Sequence, residues 1–175
     1  MKLSICINTY NRNESLVICV KSINNIINKN KIDINIIISD NSNNGNLFKI
    51  KKKLIKVSKY KIIFVSEKKR GIVNSRNMCL RKLKSVNPNY ISFFDDDCVI
   101  DKYWIKNVFK IIKLHKADVA TGPQIYHGKS DNKIFNYSEI FEKQYNKNKT
   151  HLVKWAASNN VIVDYNIIKK HKLIF

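Results

Sequence analysis

The sequence predicts an α/β fold with a mainly parallel sheet. Three observations carry this. Short apolar runs with β-type patterning alternate with stretches of helical apolar spacing across the first 120 residues. The chain has 175 residues and 44% hydrophobic content, which suits one domain with a real core. Polar and acidic clusters fall where apolar runs end, at residues 9–12, 40–42 and 95–97. Parallel α/β sheets bind ligands outside the carboxyl ends of their strands, so these clusters share one expected rim.

Each element has its own signal. Residues 3–8 alternate and read as the first strand. A polar loop follows, in which Asn11 or Asn13 is expected to cap the next helix. Leu16, Val20, Ile23 and Ile27 recur at helical spacing and predict a helix over 14–27, ended by the lysine- and asparagine-rich residues 28–31. Residues 34–39 form a second apolar strand closed by Asp40, and 41–46, with Gly45, make a turn. A helix blurred by lysines spans 47–57, and a third strand spans 61–66. The charged loop 67–71 leads into a helix over 72–83. Pro88 and Asn89 reset the chain before a fourth strand at 90–94. Trp104, Val108, Ile111 and Ile112 share one side of a helix over 103–114. A strand at 117–121 ends at Gly122 and Pro123. Beyond it the pattern predicts a helix over 134–145, a strand at 161–163 and a short helix over 165–170. No repeat, low-complexity linker or domain boundary interrupts the chain, so a single domain over 1–175 is expected.

The formal charge of +20 usually points to nucleic acid. Here lysines are scattered along the whole length, Lys far outnumbers Arg, and Asn and Ile are abundant. That pattern marks an AT-rich coding background. No nucleic-acid partner is expected, because no helix-turn-helix, zinc-finger or aromatic RNA-binding motif accompanies the charge. What remains is a surface that favours polyanionic ligands or anionic lipid headgroups. Cys6, Cys19, Cys79 and Cys98 lie in apolar contexts with no paired spacing and read as reduced core residues. His115, His127, His151 and His171 fall in no zinc-ligand spacing with them. The opening residues turn polar too quickly for a signal peptide, and no run reaches transmembrane length. The expected location is the cytoplasm, with peripheral contact at the inner face of the cell membrane.

The stretch 90–101 holds the chemistry. Five mostly apolar or aromatic residues run straight into Asp95, Asp96 and Asp97. Adjacent carboxylates repel one another, and a partly buried anion is costly unless paired. A hard divalent cation relieves that strain. The plainer alternative is a solvated acidic turn, with Asp101 capping the following helix. With the other two clusters on the same rim, a pocket emerges: hydrogen-bonding groups, a carboxylate for a sugar hydroxyl or a base, and a metal site.

Four motifs in order then resemble the family 2 glycosyltransferases. The first is Ile5-Cys6-Ile7-Asn8-Thr9-Tyr10-Asn11-Arg12. The second is Ile36-Ile37-Ile38-Ser39-Asp40-Asn41-Ser42. The third is Gly71-Ile72-Val73-Asn74-Ser75-Arg76-Asn77, a glycine before a helix carrying Arg-Asn. The fourth is Phe93-Phe94-Asp95-Asp96-Asp97, a D-x-D element followed by the aromatic Trp104. Together they cover roughly residues 3 to 125. The resemblance implies the GT-A fold, a Rossmann-like three-layer α/β/α sandwich. It also implies transfer of a sugar from a UDP-, GDP- or TDP-sugar donor to a glycan or lipid-linked acceptor in cell-surface polysaccharide biosynthesis. In that family the outcome is typically inverting and metal-dependent.

The resemblance assigns the donor site to Thr9, Tyr10, Asn11, Arg12, Asp40, Arg76 and Asp96. Tyr10 would pack near the base, Asp40 would accept a hydrogen bond from it, and Arg76 would approach the base or diphosphate. Asp96 would lie near the ribose. Asp95 and Asp97 would hold Mg²⁺ or Mn²⁺ on the diphosphate, with Asp97 the principal ligand. Each residue also has a plainer reading. Thr9 and Asn11 suit turns and caps, Tyr10 a half-buried loop, Asp40 a cap, and Arg76 a solvated helix. Trp104 reads as core, and Trp155 as either core or acceptor-facing.

The chain departs from the family at its far end. The family's general base is an acid well past the D-x-D element. Here the last acids are Glu142 and Asp164, and neither matches that position. The expectation is a donor half over about 1–125, a partial acceptor side over about 126–175, and a general base missing through truncation. The alternative function is a non-catalytic or partner-dependent remnant that binds nucleotide sugars.

Overall fold

Leu3, Ile5 and Ile7 on one side of strand β1 (Lys2–Thr9) and Ser4 and Cys6 on the other are all fully buried. A strand buried on both faces belongs in the middle of a sheet with helices on either side. The computed structural model describes residues 1–42, 45–124, 152–153 and 155–175. After β1 come α1 (Asn13–Asn24), β2 (Asp33–Asp40), α2 (Asn46–Val57), β3 (Lys61–Ser66) and α3 (Ile72–Val86). Then follow β4 (Tyr90–Asp95), α4 (Trp104–His115), β5 (Val119–Thr121), β6 (Val161–Asp164) and α5 (Tyr165–His171). Among the described residues the six strands lie in the order β3-β2-β1-β4-β6-β5. β1 to β4 run parallel, and β6 is antiparallel to both β4 and β5.

Two apolar layers cover this sheet. Leu16, Val17, Val20 and Ile23 of α1, Leu54 of α2 and Ile105, Val108 and Ile112 of α4 join Leu3, Ile5, Ile7, Ile36 and Ile38 in one core. Cys79 and Leu83 of α3 and Tyr165 of α5 join Cys6, Ile37, Ile91 and Phe93 in the other. Asn35, the polar residue within the second apolar run, is buried and accepts a hydrogen bond from the Ser4 hydroxyl at 2.9 Å. That bond offsets the cost of burying an amide. Cys6, Cys19 and Cys79 are buried free thiols and Cys98 is half-buried. Among the described residues no helix is long and apolar enough to cross a membrane.

Strand order reverses beside β1. The chain steps from β1 to β2 and β3 on one side, then crosses to β4 on the other. Such a switch point opens a crevice at the carboxyl ends of the two strands. Register aligns those ends: Thr9 lies opposite Asp40, Asn8 opposite Asp95, and Asp40 opposite Ser66.

The structure corrects several expectations. α1 ends at Asn24, and Ile27 lies beyond it, its N–H donating to the Lys102 carbonyl at 2.8 Å. α3 runs on to Val86, where Asn87 enters the left-handed region at φ 46° ahead of Pro88. Neither Asn11 nor Asn13 caps α1. Its cap is Arg12, with no side-chain cap bond. Asn11 instead takes φ 56°, a turn conformation that asparagine tolerates better than most residues. Asp101 does accept a hydrogen bond, from the Tyr103 N–H at 2.7 Å, in the turn before α4. Trp104 packs edge-on against Phe94, as a core residue should. Trp155 is 55% exposed, which rules out core packing for it. The helix expected over 134–145 lies outside the described residues, as does Glu142.

Candidate active site

The carboxyl rim of β1 and β4 is held together by side chains. The Thr9 hydroxyl donates to Asp96 Oδ2 at 2.7 Å. Arg12 Nη1 donates to Asp96 Oδ1 at 3.2 Å and to Asp97 Oδ2 at 2.6 Å. Arg76 Nη2 donates to Asp95 Oδ1 at 3.3 Å. Thr9 is the polar last residue of β1, Arg12 follows in the loop that leads into α1, and Arg76 is carried in by the second turn of α3. Asp40, Asn41 and Ser42 close β2 on the same rim, buried. Thus the three clusters do share one edge of the sheet.

Behind them sits a polar scaffold. Asn41 Nδ2 donates to the carbonyls of Glu67 and Lys69, and Asn41 Oδ1 accepts the Gly71 N–H at 2.8 Å. This one side chain pins the 67–71 loop to the end of β2. Gly71 begins α3 at φ 128°, a backbone angle that residues with a Cβ rarely adopt. Ser75 Oγ is hydrogen-bonded to Ser39 Oγ at 2.9 Å and to Asn8 Oδ1 at 3.1 Å, joining α3 to β2 and β1. Glu67 is paired with Arg81.

Between these groups lies an open cleft of about 330 Å³. That is the lower end of the range for small-ligand pockets, about 300–1,000 Å³. Thr9, Tyr10 and Arg12 line it from the end of β1 and the loop after it, Asp95 and Asp96 from the end of β4, and Asn41 from just past β2. Arg70, Gly71 and Ser75 line the remaining wall. Tyr10 is 42% exposed and carries the Arg70 guanidinium over its ring, 5.1 Å from the centroid. Asp40 opens instead onto an adjoining cavity of about 380 Å³ with Phe48, Lys51 and Phe64. There its Oδ1 accepts the Ser42 N–H at 2.9 Å, so the turn reading of Asp40 holds alongside its rim position. Asn11 is exposed in the loop after β1, and neither it nor Arg76 nor Asp97 lines the cleft.

The electrostatics distinguish the three acids. Burial pushes the Asp95 carboxyl above the usual carboxylate range, and the Arg76 guanidinium opposes that. Burial likewise raises Asp96, while the Thr9 hydroxyl and Arg12 pull it back. The Asp96 side chain is 4% exposed with both oxygens engaged by protein donors. Those of Asp95 and Asp97 are 30% and 55% exposed. Three carboxylates paired with two guanidiniums leave the cluster one negative charge in excess. That excess suits a cation, and Asp95 and Asp97, the two more exposed acids, are the ones with oxygens left to meet it, while both oxygens of Asp96 are engaged. Among the described residues no group of three or more His, Cys, Asp or Glu side chains could hold a metal by itself. Two carboxylates would need phosphate oxygens and water to complete the shell, which is how Mg²⁺ is commonly held.

Polar debt gathers at this rim. Among the described residues, Asn8 Nδ2, Ser42 Oγ and Arg76 Nε are buried without a partner. Each such atom costs about 1–3 kcal/mol.

Sequence reasoning passed over Arg70, Asn8 and Phe175 and gave Asn41 and Ser75 no role, although both stand in the quoted motifs. Phe175 packs edge-on against Phe93 and lies under the Arg76 guanidinium, 5.3 Å from its ring centroid. Asn77 clasps the backbone of Phe175, donating to its carbonyl at 3.2 Å and accepting its N–H at 3.0 Å. The Arg-Asn pair of the third motif thus serves both the acids and this aromatic. Asp164 is far from the site. It lies in register with Tyr90, at the opposite end of β4 from Asp95, and caps α5 through the Asn166 N–H at 2.8 Å.

The chain matches the sequence model of Glycosyl transferase family 2 over residues 4–171. No curated protein sequence matches. Among solved structures it is similar to S. aureus TarS 1-349, at 17% identity and TM-score 0.65, covering 100% of this chain and 50% of that one. It is also similar to the mannosyltransferase PcManGT from Pyrobaculum calidifontis in complex with GDP-Man and Mn²⁺. There the identity is 11% and the TM-score 0.71, covering 97% and 46% of the two chains. TarS 1-349 in complex with UDP-GlcNAc aligns at 17% identity and TM-score 0.61, covering 100% and 48%. These likenesses concern the fold, and the chain spans about half the length of the structures it matches.

Proposed function

Because the chain belongs to the family 2 glycosyltransferases, we propose that it binds a nucleotide sugar in the β1–β4 cleft and contributes that donor site to glycosyl transfer. The acceptor is a glycan or lipid-linked glycan of a cell-surface polysaccharide, and the reaction runs with inversion on the cytoplasmic side of the membrane. One observation supports the reading most: Thr9, Tyr10, Arg12, Asp95 and Asp96 border a single cleft with the start of α3. Neighbours that hold GDP-Man with Mn²⁺ or UDP-GlcNAc support a nucleotide sugar as donor.

The roles follow from chemistry. Tyr10, half-exposed with a cation over its ring, offers a face for the base, and Asn11 shapes that loop. Asp40 accepts from the base at the adjoining cavity. Asp95 and Asp97 would hold Mg²⁺ or Mn²⁺, and a cation there would supply charge neutralisation for the departing nucleoside diphosphate. Arg76 adds positive charge beside the same phosphates. Thr9 and Arg12 keep Asp96 fixed, and Asp96 in turn keeps the end of β1 against the end of β4 near the ribose. In this reading residues 1–175 act as one unit, with the donor half over about 1–125 and part of the acceptor side over about 126–175.

A second reading divides from the first on the general base. Asp164 caps α5 at the opposite end of β4, and Asp96 is bonded through both oxygens. Those two placements leave neither acid available as a base, and the second reading is nucleotide-sugar binding without turnover, by a remnant or a partner-dependent half. Calorimetric titration with UDP-, GDP- and TDP-sugars plus Mn²⁺ tests the shared claim. Binding of none of them by folded protein would remove both readings. Release of nucleoside diphosphate with transfer to an acceptor selects the first, and binding without release selects the second.

A further inference from the structure

Helix α2 presents a surface that the cleft does not use. Its twelve residues include five lysines, at 49, 51, 52, 53 and 56, and no acid. At 100° per residue, Leu47, Ile50, Leu54 and Val57 fall on one stripe, and all four pack into the core. Phe48 and Ile55 are seven residues apart and so align on the opposite side, 81% and 56% exposed. Lys52 and Lys56 flank that line on one side and Lys51 on the other, its ammonium 5.1 Å from the Phe64 ring centroid. A single exposed apolar side chain needs no explanation. An aromatic and a branched aliphatic aligned outward within a belt of cations is the pattern of a helix that lies on a lipid surface.

We propose that the outer face of α2 docks the protein onto anionic lipid headgroups. Phe48 and Ile55 enter the boundary between headgroups and acyl chains, and the flanking lysines meet the lipid phosphates. Charge complementarity selects the partner, since the helix carries five cations and no acid, and three of the cations flank the exposed apolar line. Nucleic acid would satisfy the lysines but leave Phe48 and Ile55 unused. Phe48 and Lys51 also border the cavity that Asp40 faces. Docking through α2 therefore brings the carboxyl rim of the sheet beside the membrane. The docking itself is independent of the transfer reaction; only its use in meeting a lipid-linked acceptor rests on the proposed function.

Vesicle flotation tests this with phosphatidylcholine alone and with added phosphatidylglycerol, at low and high salt. The protein binds the anionic vesicles only, and salt weakens the binding. Lys49→Glu/Lys52→Glu/Lys56→Glu lowers the partition by more than about fiftyfold, each lysine near such a surface being worth about fivefold. Phe48→Ser/Ile55→Ser lowers it by about tenfold at unchanged charge. A control with the same charge change on the other side of the sheet, Lys84→Glu/Lys170→Glu/Lys172→Glu, keeps most of the binding. Circular dichroism of every variant stays as in the parent, and so does nucleotide-sugar titration of the two lysine-to-glutamate variants, which separates loss of docking from loss of fold or donor site. The proposal is overturned by absence of vesicle binding, or by a control that falls as far as the α2 variants. Indifference to Phe48→Ser/Ile55→Ser, or binding to duplex DNA in place of vesicles, overturns it equally.

Discussion

Replacing Thr9 by Val tests whether the end of β1 is tied to the acidic loop as the structure has it. Valine keeps the shape and removes the hydroxyl that donates to Asp96 Oδ2 at 2.7 Å. The acceptor is nearly buried, at 4% exposure, so water does not replace the lost donor. A hydrogen bond to a charged group contributes about 1.5–3 kcal/mol. For a chain of this size each kcal/mol moves the melting temperature by about 2–4 °C, so the loss is about 3–12 °C. The pH dependence has a definite sign. Burial already raises the Asp96 carboxyl and the Thr9 hydroxyl pulls it down, so Thr9→Val raises it further. A carboxyl with a raised folded pKa binds its proton more readily in the native state, and acidification relieves the native state. The defect is therefore largest at neutral pH and shrinks as pH falls through the raised pKa of Asp96. Thermal denaturation of Thr9→Val, Asp96→Asn and the double variant, at several pH values, measures this as a coupling. An unchanged melting temperature, strict additivity, or a defect that persists on acidification would refute the reasoning.

Three further outcomes follow from neighbouring geometry. Gly71→Ala places a Cβ at φ 128° and 3.3 Å from Asn74 Nδ2, and costs about 1–3 kcal/mol by chemical denaturation; an unaffected midpoint would contradict the strained entry to α3. Phe175→Leu removes the ring under Arg76 and weakens nucleotide-sugar binding several-fold, a cation–π contact being worth about 0.5–2 kcal/mol. Phe175→Tyr restores it, whereas equal weakening by both would mean that the ring only packs. Burial pushes the Cys6 and Cys19 thiols up and that of Cys98 to about 11. At pH 8 only about one Cys98 in a thousand is then a thiolate, so alkylation of native protein at these three cysteines is slow and becomes fast on unfolding.

The sheet was legible because its strands are apolar runs long enough to be buried on both faces. Residues 34–39 and 90–94 could be nothing else, and the Pro88 stop and the turn at Gly45 bounded them. Helix ends were less legible, since asparagines crowd the junctions. Asn11 and Asn13 both looked like caps, and which of them bends the chain depends on backbone angles that a residue type only biases. At the site, the acids, Thr9 and Arg12 were visible as clusters at strand ends. Which oxygen meets which guanidinium was not, because that depends on register between strands 87 residues apart in the case of Thr9 and Asp96. Phe175 escaped notice for a related reason. Its importance comes from packing beside Arg76 and Phe93 across the sheet, and no local pattern encodes that. Asp164 looked like a spare acid in sequence and is a helix cap in space.

The central claim is that one rim of the sheet gathers the donor and its cation. Amide NMR spectra of labelled protein with UDP and a trace of Mn²⁺ test it directly, because paramagnetic broadening falls steeply with distance. The account predicts broadening confined to signals of Tyr10, Asn41, Gly71 and Asp96 to Cys98, with Lys2, Asp33, Tyr90 and Asp164 left sharp. Broadening at that second set, or evenly across the protein, would contradict it.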